Sequence, residues 1–402
     1  MNQTDTKQSW LQLTAVQAGG VICLPIFLIG HALATNYGIA SAIIAIILGN
    51  LLLLVMGSVA AWSVSYSRKS TAEISVDLFG VAGRYLFATA MVVSMMGWFA
   101  IQLNLMTLGI QEVFPKVPAG LCNVSLGVAV TYAGIKGMRG LEKIVNWSMP
   151  LLLITIFYAL FLGEPATVQA VDGEVVTFQG ISLVLAAAIA AVVDLPTFFR
   201  LSRSQKDGLA ASLLLFGLII PLLEGVGVYL FANKAEDNFV RVLASPASPM
   251  LWKAWVFAFI VFAGWTTNQA NLYSASVSMG TIVPEMRNQT RVLLLGAFGS
   301  LISCLNLLDH LVGVLDLIGI LLGSMGAVMV VHCLLNGKTE KRFNFAAWLI
   351  GLLAGASSQQ GYDLMGIPVV DAFVFGLIGM GVAVVKNMFK NKEQVHEYTV
   401  SN

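Results

Sequence analysis

Apolar runs of about twenty residues recur along almost the whole of this chain, and each is the length that crosses a bilayer as an α-helix. Inside hydrocarbon a backbone must satisfy its own hydrogen bonds, so such runs form helices, not open strands or loops. The composition agrees. Of 402 residues, 57% are hydrophobic and 11% charged, against about a quarter charged in a soluble domain. The sequence reads as an all-α polytopic membrane protein. Twelve spans are expected, at about 11–33, 38–66, 84–111, 119–135, 144–163, 181–199, 208–232, 251–281, 291–307, 310–335, 343–358 and 366–388. Their connections are short, so residues 1–402 are expected to form one domain.

Charge sets the orientation. Of the 22 Lys and Arg, all but Lys116, Lys234, Arg241 and Lys253 fall on one side of these spans, which the positive-inside rule makes the cytoplasmic side. Both termini are then cytoplasmic, in a plasma (inner) membrane. The leading MNQTDTKQS is short and polar, and no small-residue cleavage site follows the first span, so a cleavable signal peptide is not expected. A net charge of +1, without a basic cluster interleaved with aromatics, gives no footprint for nucleic acid. Cys23, Cys122, Cys304 and Cys333 lie in or beside apolar runs with neither metal-ligand nor disulfide spacing, and read as free thiols. Two outer connections are longer than a tight turn. Residues 164–179 carry Asp172-Gly173 between alternating apolar residues, a small hairpin signal. Residues 233–250 could form a short helix over a cavity. An ordinary loop serves as well for both.

The eighth span holds the densest polar run. GWTTNQANLYSAS (264–276) places Thr266, Thr267, Asn268, Gln269 and Asn271 within six positions, and hydrocarbon offers these groups no partner. At helical spacing Thr267, Asn271, Ser274 and Ser278 share one face, bordered by Ala263, Thr266 and Ala270. Small residues and hydroxyls also suit plain helix packing, the simpler reading for Ser274, Ser276 and Ser278. The adjacent hydroxyls of Thr266 and Thr267, with a carbonyl one turn back, make part of an oxygen cage for a hard monovalent cation. The first span offers another part. Gly19-Gly20 weaken its helix, and Pro25 removes the hydrogen bond to the Val21 carbonyl. The carbonyls freed near Gly20–Cys23 need a partner, which a cation or a neighbouring helix supplies.

Three further spans carry candidates. In the third, Met95, Trp98 and Gln102 share a face, and an indole plate with an amide one turn away suits a flat, polar ring. In the sixth, alanines from Ala186 to Ala191, broken by Ile189, precede Asp194 and Pro196. They permit close approach or a cavity wall. Asp194 is a membrane carboxylate that could hold a cation or proton, or pair with Arg200. Glu224 and Asp316 are other intramembrane acids with a structural or proton-carrying role open to them. No hydrolase, kinase, metal or phosphate-loop motif occurs, and no nucleophile clusters with a base, so an enzyme is not expected.

These residues resemble the nucleobase–cation symporter family, most closely its bacterial cytosine permease branch. WTTNQANLYSAS at 265–276 is similar to that branch's eighth-helix motif, and MGWF at 96–99, ILGNLLL at 47–53 and FFRLSRS at 198–204 also match. The resemblance covers nearly the whole chain. It implies a five-plus-five inverted-repeat fold like that of amino-acid transporters, with helices 1 and 6 broken. Helices 1–5 would fill about 11–163, helices 6–10 about 181–335, and two accessory helices about 343–388. It implies cation-coupled uptake of a small heterocycle by a monomer among membrane lipid. The Na⁺ ligands implied are the carbonyls of Gly20, Cys23 and Ala263 and the hydroxyls of Thr266 and Thr267. The substrate residues implied are Trp98, Gln102, Ala188 and Asn271, with Asp194 added from its position. The chain departs from the cytosine pattern at Met95, Ala188, Ala190 and Ala263, where polar or aromatic groups are expected. A larger or differently substituted heterocycle, or a cationic substrate held by Asp194, is therefore expected. The alternatives are a proton-coupled transporter of the same fold for a small amine, using Asp194 or Glu224, and a sensor that binds without transport.

Overall fold

The computed structural model describes residues 7–137, 140–141, 145, 150–151, 153–155, 157, 178–233, 249–335, 337–362 and 367–400. Most of the expected fifth span, the Asp172-Gly173 hairpin and most of 233–250 lie outside the described residues.

The first expected span is two helices, α1 (Trp10–Val21) and α2 (Leu24–Tyr37), bent by 63°. Ile22 and Cys23 separate them, with Cys23 fully extended at φ −145°, ψ 160°. Pro25 sits in the first turn of α2, where its missing N–H costs no helical hydrogen bond. The break the sequence predicted near Gly20–Cys23 is therefore present. α3 (Ile39–Ser67) follows after Gly38, whose φ of 81° suits glycine alone at a tight reversal.

α4 runs Thr71–Val113 with a kink at Gly80, where φ is 75°. A capping box of Ser70 and Glu73 starts a helix in what the sequence suggested was only a connection. α5 (Ala119–Gly134) and α6 (Phe178–Phe199) come next, then α7 (Gln205–Leu214), a π-helical turn (Leu215–Ile219) and α8 (Ile220–Asn233), which together fill the seventh span. The chain continues through α9 (Met250–Ile282), α10 (Asn288–Ser303), a 3₁₀ turn (Leu307–His310), α11 (Leu311–Leu334), α12 (Lys341–Gln359) and α13 (Pro368–Val400). Among the described residues, seven helices are long and apolar enough to cross a membrane, or eight when α1 and α2 count as one. α5, α10 and α12 coincide with three more of the expected spans.

The sixth helix differs from the expectation of a break. α6 is one helix with Pro196 inside it. Only three helical residues follow the proline, so its missing N–H removes a bond at the end of the helix and not at its middle. The Thr71 hydroxyl donates to the nearby Val193 carbonyl at 2.9 Å, which helps satisfy this turn.

The helices pair in a recurring way. α2 packs on α8, α3 on α6, α4 on α9 and α5 on α10, while α12 and α13 pack on each other and on α11. The α2–α8 contact is backbone against backbone. A Cβ on Gly30 would lie 1.8 Å from the Glu224 carbonyl oxygen, and one on Gly227 would lie 2.0 Å from that of Phe27. Glycine at both positions lets the helices close. At the end of α6, Gln8 bridges the following turn: its N–H donates to the Leu201 carbonyl at 2.7 Å and its carbonyl accepts from Arg203 at 2.8 Å. Arg68, just past α3, donates to the carbonyls of Arg200 (3.1 Å) and Ser202. The end of α6 is thus tied to both the first and the second span.

Candidate functional site

Five helices, α1, α2, α4, α6 and α9, line one cavity. α1 gives Gln17, Gly20 and Val21, with Cys23 and Ile26 beyond the break; α4 gives Met95 and Trp98. α6 gives Ala187, Ala188, Ala190, Ala191, Asp194 and Phe198, and α9 gives Thr267, Ala270, Asn271 and Ser274. On α6 and α9 the spacing is three or four, so one face of each helix lines the space. The alanines make the α6 wall flat and thin until Asp194. α1 passes α9 at Gly20, where an added Cβ would lie in ordinary contact with the Ala270 side chain, 3.5 Å away.

The polar groups of this cavity are incompletely satisfied. Trp98 Nε1 and Gln17 Nε2 are buried donors without a hydrogen-bond partner among the described residues. Asp194 Oδ2 accepts from the Ser274 hydroxyl, but Oδ1 is buried with no partner. Each such atom costs roughly 1–3 kcal/mol unless something in the cavity bonds to it. The Asn271 amide donates to Asn268 Oδ1 at 3.3 Å.

Two of the five clustered polar residues on α9 point elsewhere. The Asn268 amide donates to the Phe99 carbonyl on α4 at 3.2 Å, and the Gln269 amide to the Val130 carbonyl on α5 at 2.6 Å. They lock α9 to its scaffold. The hydroxyls of Thr266 and Thr267 both donate to the Ala263 carbonyl at 3.0 Å. Cys23, in the break of the first span, and Thr267 border the same cavity.

Of the five residues expected to hold Na⁺, Gly20, Cys23 and Thr267 reach the cavity. The three backbone bonds that close the break run to the carbonyls of Ala18, Val21 and Cys23, and none takes the Gly20 carbonyl. The donor set is neutral oxygen from carbonyls and hydroxyls, which suits a hard alkali cation and not a thiolate- or imidazole-seeking metal. The other two, Ala263 one turn before Thr267 and Thr266 next to it, are fully buried.

Of the expected substrate residues, Trp98, Ala188, Asn271 and Asp194 line the cavity. Gln102 is buried and does not line it. Ala263 likewise faces Thr266 and Thr267 and not the cavity. Gln17 and Phe198 line the cavity without having been expected there. Gln17 lies three residues before Gly20 on α1, so helical spacing carried the signal.

Residues 1–353 match the family described as permease for cytosine/purines, uracil, thiamine and allantoin. The chain belongs to this family. It is a membrane transporter, not an enzyme. It is 22% identical over 383 residues to the cytosine permease of Escherichia coli strain K12, covering 92% of this chain and 89% of that one. Its fold is shared with Mhp1, a nucleobase-cation-symport-1 family transporter solved in a closed conformation with bromovinylhydantoin bound. The TM-score is 0.72 at 18% identity, over 96% of each chain. A Na⁺-coupled sialic acid symporter in a substrate-bound outward-open state is similar too, with TM-score 0.69 at 14% identity over 92% of this chain and 88% of that one.

Proposed function

We propose that this permease is a secondary active importer that brings in a small nucleobase-like heterocycle together with Na⁺ by alternating access. The observation that carries the reading is that one cavity joins the cut first span, the Thr267 hydroxyl and the Trp98 indole. Trp98 stacks on the ring, and Asn271 and the Ala188 wall border its edge. Gly20, Cys23, Ala263, Thr266 and Thr267 hold the ion. Bound Na⁺ supplies a positive charge that draws carbonyls of the first span and oxygens of α9 together. Ordering these two elements is what would raise affinity for the heterocycle, because coupling is a difference in affinity between states.

The helix pairing supports an inverted repeat, with helices 1–5 at about 11–163 and 6–10 at about 181–335. Exchanging the halves turns the first–seventh contact (α2–α8) into the second–sixth contact (α3–α6), and returns third–eighth (α4–α9) and fourth–ninth (α5–α10) to themselves. The Lys and Arg bias supports cytoplasmic termini. The test is ligand-induced thermal stabilisation of the purified protein with cytosine, uracil and a hydantoin, in NaCl and in choline chloride. Stabilisation that needs Na⁺ supports the reading; equal stabilisation in choline sinks it.

One observation favours proton coupling as a second reading. Glu224 on α8 is fully buried, the Asn50 amide donates to its Oε2 at 2.5 Å, and Oε1 has no partner. A carboxyl so placed is far easier to bury protonated than ionised. Binding that follows pH and ignores Na⁺ would select this reading.

A further inference from the structure

The cavity lining carries two kinds of chemistry. Trp98, Cys23 and Thr267 present a ring and neutral polar groups, while Asp194, bonded by the Ser274 hydroxyl, brings a single carboxylate. Asp194 is the only charged side chain among the lining residues, and it is 4% exposed. Its Oδ2 takes the Ser274 hydroxyl. Its Oδ1 takes nothing. Arg200 follows the end of the same helix. That guanidinium is directed at Glu73, 3.6 Å away, and at the Tyr273 hydroxyl, 3.5 Å away. Asp194 has no ion pair among the described residues.

A buried carboxylate without a counter-charge is costly, and a bound cation is one of the few things that removes the cost. Groups that would recognise a neutral, acceptor-rich nucleobase edge are sparse in this lining. Its unpartnered donors are Gln17 Nε2 and Trp98 Nε1, and Met95, Ala188 and Ala190 bring no polar group at all. The bare Asp194 oxygen accepts from N–H groups, not carbonyls.

We propose that the substrate is a flat heterocycle carrying a positive charge on an amidine- or guanidine-type nitrogen, with Asp194 as its counter-ion and Gln17 as a second contact on the same edge. This rests on the import reading above and specifies its substrate class. The amino-substituted edge would set its N–H groups on the two oxygens of Asp194, while the ring reaches back to Trp98. Arrangements of this kind favour planar cations, since two parallel N–H groups match a carboxylate better than one ammonium does.

The test uses the purified full chain in NaCl and matched isosteres. The cationic probes are 2-aminoimidazole and 2-aminobenzimidazole; their neutral counterparts are 2-imidazolone and 2-benzimidazolone; cytosine is included as a neutral nucleobase. Binding is read by calorimetry. The expected result is that each cationic probe binds at least about tenfold more tightly than its neutral isostere. In Asp194→Asn this preference should vanish, and in Asp194→Glu it should partly return. Equal affinity for both members of each pair in the unmutated protein overturns the proposal, and so does a preference that survives Asp194→Asn. If cytosine alone binds, with Na⁺ dependence, the import reading stands and this inference falls. If cationic probes bind with the predicted preference but without Na⁺ dependence, the inference stands and the Na⁺ reading falls. Because the isostere comparison needs no variant, a misfolded Asp194→Asn would not rescue a wrong proposal.

Discussion

Two buried polar regions of this protein use the same residue types and end in opposite states. Between α4, α5 and the end of α10, the polar groups bond to one another. The amides of Asn104 and Asn123 both donate to the Ser303 carbonyl, at 2.7 and 3.0 Å. Thr107 donates to Asn123 Oδ1 at 2.5 Å, and the Leu307 N–H donates to Asn104 Oδ1 at 3.1 Å. Asn268 and Gln269 extend this pattern from α9. Around the cavity, Gln17, Trp98 and Asp194 each keep a buried polar atom with no partner. Burial alone does not separate the regions, since Asn123 and Asp194 are 3% and 4% exposed. Satisfaction does. A network closed on itself holds helices in place, whereas one left open is held for something else.

Mutations can break this contrast. The largest effect is expected from Trp98→Ala, which removes the ring plate: heterocycle binding should weaken by about a hundredfold or more in calorimetry, with the protein still folded by size exclusion. Near-normal affinity would place the substrate elsewhere. Thr267→Ala should weaken Na⁺-dependent stabilisation by about tenfold or more in Na⁺ concentration, because Thr267 is the hydroxyl of the expected Na⁺ ligands that borders the cavity. In the closed network the outcome should invert. Asn123→Leu should lower stability by about 1–3 kcal/mol, leaving the Thr107 hydroxyl without its acceptor, yet leave Na⁺ and ligand affinity unchanged within error. A ligand-affinity loss as large as that of Trp98→Ala would erase the distinction between the regions. The smallest effect is expected at the exposed Lys69–Asp77 pair, 2.6 Å apart. Asp77→Asn should shift stability by under about 1 kcal/mol, readable as a melting temperature almost unmoved.

Much of the closed scaffold and part of the open cavity were legible in the sequence, for different reasons. Hydropathy gave the spans because each must cross hydrocarbon, and most described helices end within a few residues of them, while α4 begins thirteen residues early and α13 runs twelve residues past. Gly19-Gly20 and Pro25 marked the break in the first span, because both weaken a helix whatever surrounds it. Helical spacing grouped Thr267, Asn271 and Ser274 correctly. It failed for Gln102, which shares a face with Trp98 but lies a full turn further along the axis, outside the cavity lining. It gave no direction for Asn268 and Gln269, because adjacent residues on a helix face different neighbours and only tertiary packing names them. The family resemblance implied a second break, in helix 6, but Pro196 stands near the end of α6 and leaves little helix to interrupt. The kink at Gly80 was missed because one glycine among apolar residues has many other meanings.

The account rests on Na⁺ and heterocycle sharing one cavity, so their affinities must depend on each other. The most direct measurement is the dissociation constant of a bound heterocycle across a series of Na⁺ concentrations, in the unmutated protein and in Thr267→Ala. The account predicts affinity that rises with Na⁺ in the first and is flat in the second, with the heterocycle raising Na⁺ affinity by the same factor. The same Na⁺ dependence in both proteins would contradict it.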